Sequence, residues 1–376
     1  MKILFIGARL FDDVALYTRK NSITSIITES NPQSNNLDLA DSHYIVSRGM
    51  DEPTKIAIQE NVDGVVPLIG IDGPLVEVAV MKEKLEQNYG IPVVSSPISA
   101  ATICIDKYKT KEFFVENKIK TPEFFKITKN GNKQILSINH QPVVLKHTRG
   151  QGGSGIKIIP TKGDIKEHLN EFEDGIAENF VDGIEVSIEV LRWRNKTVPL
   201  IPVYKGETTV EGIHPLKKIK NAPLKIEGIN NLRNNLKIQE IAVKIADTMG
   251  LEGTADIDLI FDCKTQENNV IEINARPSGT RYITWAASDV NIMNELINMA
   301  SGCWDPNKLR NKMKNYSAIE IPVGNHLSNR NNYKFRKFPN ENSWIVHGPE
   351  NHERVTIRGK TISKAVKTAK DLEILK

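Results

Sequence analysis

Val270-Ile-Glu-Ile-Asn-Ala-Arg276 sets Glu272, Asn274 and Arg276 at every second position, with Ile271 and Ile273 between them. In an extended chain successive side chains point to opposite faces, so the three polar groups share one face and the isoleucines turn to a core. The run before it, Ala255-Asp-Ile-Asp-Leu-Ile-Phe261, alternates in the same way, with Asp256 and Asp258 opposite Ile257 and Leu259. Two such strands side by side would gather Asp258, Glu272 and Asn274 as hard oxygen donors, with a guanidinium beside them. That set suits Mg²⁺ bridging phosphates, with Arg276 stabilising charge as a phosphoryl group transfers. A solvated strand face gives the same alternation, and the ladder alone leaves both readings open.

Upstream, Gly150-Gln-Gly-Gly-Ser-Gly155 satisfies GxGxxG literally. A dinucleotide site needs a helix after the glycines, and a Walker A loop needs a lysine directly after the last one. Here Ile156-Lys-Ile-Ile159 follows, a β run closed by Pro160. With Pro142-Val-Val-Leu-Lys146 before it, the stretch reads as a β-hairpin. Backbone N–H groups at its tip (Gly152, Gly153, Ser154) can approach phosphate oxygens. A turn that binds nothing fits the same glycines. Lys146 lies on the incoming strand.

Further out, the spacing predicts helices over 106–117, 231–249, 282–300 and 361–372, the second stopped by Gly250. The stretch 207–221 is polar and basic without a hydrophobic period and reads as a mobile loop. Its Lys217, Lys218 and Lys220 fit either a phosphate-closing or a solvated role. In the first hundred residues, strand-like 2–6, 22–28, 64–68 and 91–94 and helical 74–86 predict a small parallel α/β domain. Gly7 ends the first strand, but no dinucleotide fingerprint follows it.

The chain has 376 residues, enough for two or three domains. Its 50 Lys and Arg against 46 Asp and Glu leave +4, and 6% aromatic content completes a poor footprint for nucleic acid. At 39% hydrophobic and 26% charged the composition is globular, not disordered. No run approaches the ~18 apolar residues of a spanning helix, and Cys104, Cys263 and Cys303 form no CxxC pair. These features predict a reduced, cytoplasmic protein without membrane or nucleic-acid partners.

Order and spacing together resemble the ATP-grasp superfamily over about residues 1–300. Lys107 after Asp106, Lys146, the hairpin, Glu178-Asn-Phe-Val-Asp-Gly-Ile-Glu185 and the ladder follow one another as they do there. The likeness is greatest to the nucleotide-binding halves of the carbamoyl phosphate synthetase large subunit and to stand-alone amino-acid ligases. It implies an α/β Rossmann-like pre-ATP-grasp domain (1–103) and a two-lobed grasp domain of α+β type. The small lobe would span 104–184, the large lobe 185–305 and a closing segment 306–376. It also implies that Lys107 and Lys146 contact ATP phosphates, with Gly152, Gly153 and Ser154 over them. Glu178 and the backbone near Phe180 would hold adenine, Glu185 the ribose, and His214 would lie near the nucleotide. Asp258, Glu272 and Asn274 would hold Mg²⁺ or Mn²⁺; Asp258 departs from the Gln of that synthetase, though an acidic residue is usual in other ligases of the superfamily. Lys146 and Arg276 would act on the transferred phosphoryl group, and Ser278, Gly279 and Arg281 on a substrate carboxylate.

The implied activity is ADP-forming ligation of a small acid, such as an amino acid, to an amine through an acyl phosphate. Two alternatives are synthetase-like phosphorylation of bicarbonate or carbamate, and a non-catalytic ATP-binding regulator. A homodimer is compatible with each. For His214 the sequence supplies neither a paired carboxylate nor a nucleophile, so a plain loop histidine competes with a general base.

Overall fold

A computed structural model describes residues 1–128, 142–150, 155–161, 165, 167–212, 217–324, 336–349 and 351–375. The N-terminal part alternates β1 (Lys2–Ile6), α1 (Ala15–Lys20), β2 (Thr24–Glu29), β3 (Ser42–Ile45), α2 (Asp51–Gln59), β4 (Gly64–Pro67) and α3 (Leu75–Tyr89). Its four strands are parallel in the order β3-β2-β1-β4, the arrangement that strands linked by helical crossovers adopt. The strand expected at 91–94 contracts to a single bridge between Val93 and Val65. Pro92 has no N–H to extend the ladder. Strand β3 is not among the strands the sequence predicts, because its four residues are all exposed and carry no apolar alternation.

Helices α4 (Ile98–Cys104) and α5 (Lys107–Glu116) lead into a second sheet of β5 (Phe124–Lys126), β6 (Val143–Lys146), β7 (Ile156–Ile159) and β8 (Ile176–Asn179), ordered β5-β8-β6-β7. β6 and β7 form the expected antiparallel hairpin, with Lys146 opposite Ile156.

The third sheet holds β9 (Gly183–Trp193), β10 (Lys196–Pro199), β11 (Val203–Glu207) and β12 (Lys220–Ala222). After α6 (Asn231–Met249) it adds β13 (Gly253–Asp262) and β14 (Glu267–Asn274). Helices α7 (Arg281–Ser288), α8 (Ile292–Ala300) and α9 (Pro306–Lys312) precede its last strands, β15 (Ser317–Pro322), β16 (Trp344–His347) and β17 (Arg354–Gly359), and α10 (Ile362–Asp371) closes the chain. The order is β14-β13-β9-β11-β12-β15-β17-β16, with β10 on β9. The single helix expected over 282–300 is two. Asp289 ends α7 in the left-handed region at φ 63°, and the Asn291 side chain accepts from the N–H groups of Met293 and Asn294 to start α8.

Strand alternation decides where the core and the polar face go. Ile184, Val186, Ile188 and Val190 of β9 and Ala255, Ile257, Leu259 and Phe261 of β13 pack with Ile238, Ala242 and Ile245 of α6. The intervening residues take the opposite face, where Leu191 and Trp193 join a core shared by the N-terminal sheet and α8. Gly183 allows the close pairing of β9 with β13, since a Cβ there would lie 2.1 Å from the Phe261 carbonyl oxygen.

Candidate active site

Antiparallel pairing puts the ladder in register. Ser187, Asp258 and Glu272 form one row across β9, β13 and β14, and Glu189, Asp256 and Asn274 form the next. A bulge skips Ile271, so Asp258 pairs with Glu272 while Leu259 pairs with Val270. Such bulges re-aim side chains beside sites. Asn274 Nδ2 comes within 3.5 Å of Asp258 Oδ2, and Arg276 donates to Asn274 Oδ1 at 3.0 Å and to Asp72 Oδ1 at 2.5 Å. Asp72 precedes α3, so the guanidinium joins the ladder to the N-terminal domain. On the other side, Lys205 of β11 lies 2.5 Å from Asp258 Oδ1. Burial works against the Lys205 charge, but Asp258 and Asp256 outweigh it and raise its pKa. Burial raises the pKa of Glu272, with Lys107 opposing and Asp258 adding.

Among the described residues no three carboxylate, imidazole or thiolate groups are drawn together as a complete metal shell. Two carboxylates and one amide oxygen on adjacent strands still fit Mg²⁺ of the phosphate-bridging kind, which takes one or two protein carboxylates and fills its octahedron with phosphate and water.

Asp106 caps α5 through the N–H groups of Tyr108 and Lys109, fixing Lys107 at the first helical position. Lys107 Nζ donates to the Gly150 carbonyl at 2.5 Å and lies 3.9 Å from Glu272 Oε1, so it spans the hairpin base and the ladder. Lys146, buried on β6, pairs with Glu178 of β8. Lys111, which no sequence motif marks, is 2.9 Å from the other Glu178 oxygen. Burial alone would raise the Glu178 pKa, but the Lys111 and Lys146 charges overcome it and hold the carboxyl at about 2.

Glu185 accepts from Lys218 Nζ at 2.7 Å. The Phe180 N–H donates to the Pro142 carbonyl, tying β8 to the start of β6. Lys218 and Lys220 are buried and paired, Lys220 with Glu320 at 2.5 Å, so neither is a solvated loop cation. Gly152, Gly153, Ser154 and His214 lie outside the described residues.

At the other end of the ladder, Ser278 donates to Glu189 Oε1 at 2.9 Å and its hydroxyl lies 2.6 Å from Thr280 Oγ1. Gly279 faces Arg354; a Cβ there would come 3.5 Å from Arg354 Nη1. Arg281, expected to meet a substrate carboxylate, directs Nε to Asp13 Oδ2 at 2.9 Å and Nη1 to the Ser278 carbonyl at 2.9 Å. Asp13 also accepts from the Tyr282 hydroxyl, so this cluster joins α7 to the turn after β1.

Glu189 is pushed up to about 8 by burial and by Asp256 beside it. An acid whose folded pKa is raised binds its proton more tightly folded than unfolded, so stability falls as pH climbs from the unfolded value near 4 through 8. Glu189→Gln keeps an acceptor for Ser278 and removes that charge. In urea titrations the variant should lie within ~1 kcal/mol of the parent at pH 5 and exceed it by about 2 kcal/mol or more at pH 9. A difference independent of pH would contradict a buried, protonated Glu189.

Residues 104–280 match the family model described as ATP-grasp domain. The chain is 47% identical over 372 residues to a carbamoyl-phosphate synthase of Methanobrevibacter smithii, covering 99% of this chain and all of that one. It is 26% identical over 310 residues to the 3-methyl-D-ornithine–L-lysine ligase of Methanosarcina acetivorans, covering 80% and 73% of the two chains. The fold matches the biotin carboxylase domain of Hydrogenobacter thermophilus 2-oxoglutarate carboxylase, a structure holding MgADP and bicarbonate. That match has a TM-score of 0.76 at 16% identity and covers 98% and 88% of the chains.

Proposed function

We propose, for a chain that belongs to the ATP-grasp family of ATP-dependent ligases, that it activates a small carboxylic acid as an acyl phosphate and passes the acyl group to an amine. The observation that carries this reading is the in-register pairing of Asp258 with Glu272, flanked by Asn274, Arg276 and Lys107. Asp258, Glu272 and Asn274 would hold the metal; Mn²⁺ suits the same donors. When bound, Mg²⁺ neutralises charge on the β- and γ-phosphates.

The chain's own groups do the rest by position and electrostatics. Lys107 and Lys146 draw the phosphates between the hairpin and the ladder, while Glu178, Phe180 and Glu185 receive the nucleoside. By the family resemblance, Gly152, Gly153 and Ser154 would cover the phosphates and His214 would lie near the nucleotide. Arg276, oriented by Asp72 and Asn274, faces the phosphoryl group in transit. The acid then enters at Ser278 and Gly279, beside Arg281. As the amine attacks the acyl carbon, the carbon–oxygen bond to phosphate breaks, and phosphate and the amine's proton depart.

ADP and phosphate should therefore form only when a suitable acid is supplied, and hydroxylamine should capture an acyl hydroxamate. Screening amino acids and short acids in pairs with amines, with ADP release as readout, tests the reading. AMP and pyrophosphate as products would exclude an acyl phosphate. The Methanobrevibacter relative favours a second reading in which bicarbonate or carbamate is the acid. ADP release that depends on bicarbonate, without any organic acid, would select it.

A further inference from the structure

Lys111 lies one helical turn after Lys107 on α5 and is 1% exposed. Its ammonium is 2.9 Å from Glu178 Oε2 and donates to Thr121 Oγ1 at 2.6 Å. The Thr121 hydroxyl donates in turn to the Val270 carbonyl of β14 at 2.8 Å. One buried carboxylate thus faces two buried ammonium groups, because Lys146 holds its other oxygen. The two lysines are held differently. Lys111 is fixed by the helix and, through Thr121, by the β14 backbone. Lys146 stands on the strand that enters the glycine-rich hairpin.

Phosphate can take Lys146 only if Glu178 tolerates losing it. A lone buried carboxylate without a counter-charge is strongly disfavoured, so a Glu178 with one lysine would keep that lysine. With two, one is free to leave. We propose that Lys111 is a positioning residue that releases Lys146 to the nucleotide phosphates, keeping Glu178 neutralised and in place under adenine while Lys146 changes partner. This rests on the assignment of Lys146 to phosphate and Glu178 to adenine in the proposed function. Burial lowers the Lys111 pKa to about 8 against the pull of Glu178, so the group still carries its charge at pH 7.

The test compares a probe that draws Lys146 with one that does not. Mg-ADP and adenosine are titrated at pH 7 into the full chain by calorimetry, and the ratio of their dissociation constants is followed. In Lys111→Met the preference for Mg-ADP over adenosine should fall tenfold or more, with adenosine within threefold of the parent. Adding Glu178→Gln should return the preference to within threefold of that of Glu178→Gln alone, because the charge that retained Lys146 is gone. A structural role for Lys111 would instead lower both affinities together and make the losses additive. Should Lys111→Met not fold, Thr121→Val, which frees the Lys111 ammonium from β14, should lower the same preference threefold or more. An unchanged preference in whichever variant folds overturns the proposal. A parent that binds neither probe overturns the nucleotide reading and this proposal with it, a result distinct from a parent that binds and a variant that is indifferent.

Discussion

Glu272→Gln should lower turnover on the order of 10²-fold or more while leaving the unfolding midpoint near that of the parent. The side chain is partly exposed and its nearest cation, Lys107, is 3.9 Å away, so little native-state stability rests on it. What the variant would lose is one of the two carboxylates proposed to hold the metal. Asp258 would remain, but it shares its charge with Lys205 at 2.5 Å and does not make up for the missing carboxylate. A Mg²⁺ titration of ADP release checks the point, with the half-saturating concentration moving upward along with the loss of rate. Turnover near the parent value would make the ladder an ordinary sheet face.

The second large effect falls on nucleotide affinity. Lys146→Ala removes a charged donor from the proposed phosphate site, and bonds of that kind contribute about 1.5–3 kcal/mol each, so Mg-ATP binding should weaken by roughly 10- to 100-fold. The fold should survive, since Lys111 remains on Glu178 at 2.9 Å and the buried carboxylate is not left alone. Equilibrium titration with Mg-ATP, read beside a thermal melt, separates the two outcomes. Unchanged affinity in a folded variant would remove Lys146 from the phosphate site.

The ladder is legible in the sequence because it is a property of backbone geometry. A strand repeats every two residues, so Asp256 and Asp258, and Glu272 and Asn274, must share faces once the segments are extended. The hairpin is legible for a similar reason, with two β runs joined by glycines and no helix to follow. Lys107 is placed by its neighbour, since Asp106 is a helix cap that sequence can reveal. Composition excludes a spanning helix, and among the described residues no helix is long and apolar enough to cross a membrane.

The partners of these groups are not legible. Asp72 reaches Arg276 across 204 positions of chain, and Asp13 reaches Arg281 across 268. Nothing local to either arginine distinguishes a group that binds substrate from one that joins two domains. Lys111 stands out only as the i+4 companion of Lys107, and helical spacing alone does not turn a lysine inward. Its burial depends on β8 placing Glu178 above it. Lys205 falls in a short strand that reads as the edge of a basic loop, and only the order β13-β9-β11 brings it to Asp258. Glu189 is raised by the Asp256 that sheet register sets beside it. Sequence by itself determined the faces and the order of the motifs, because dihedral periodicity is local. Tertiary structure decided which charge meets which, because pairing across strands and domains is set by register and packing between residues far apart in the chain.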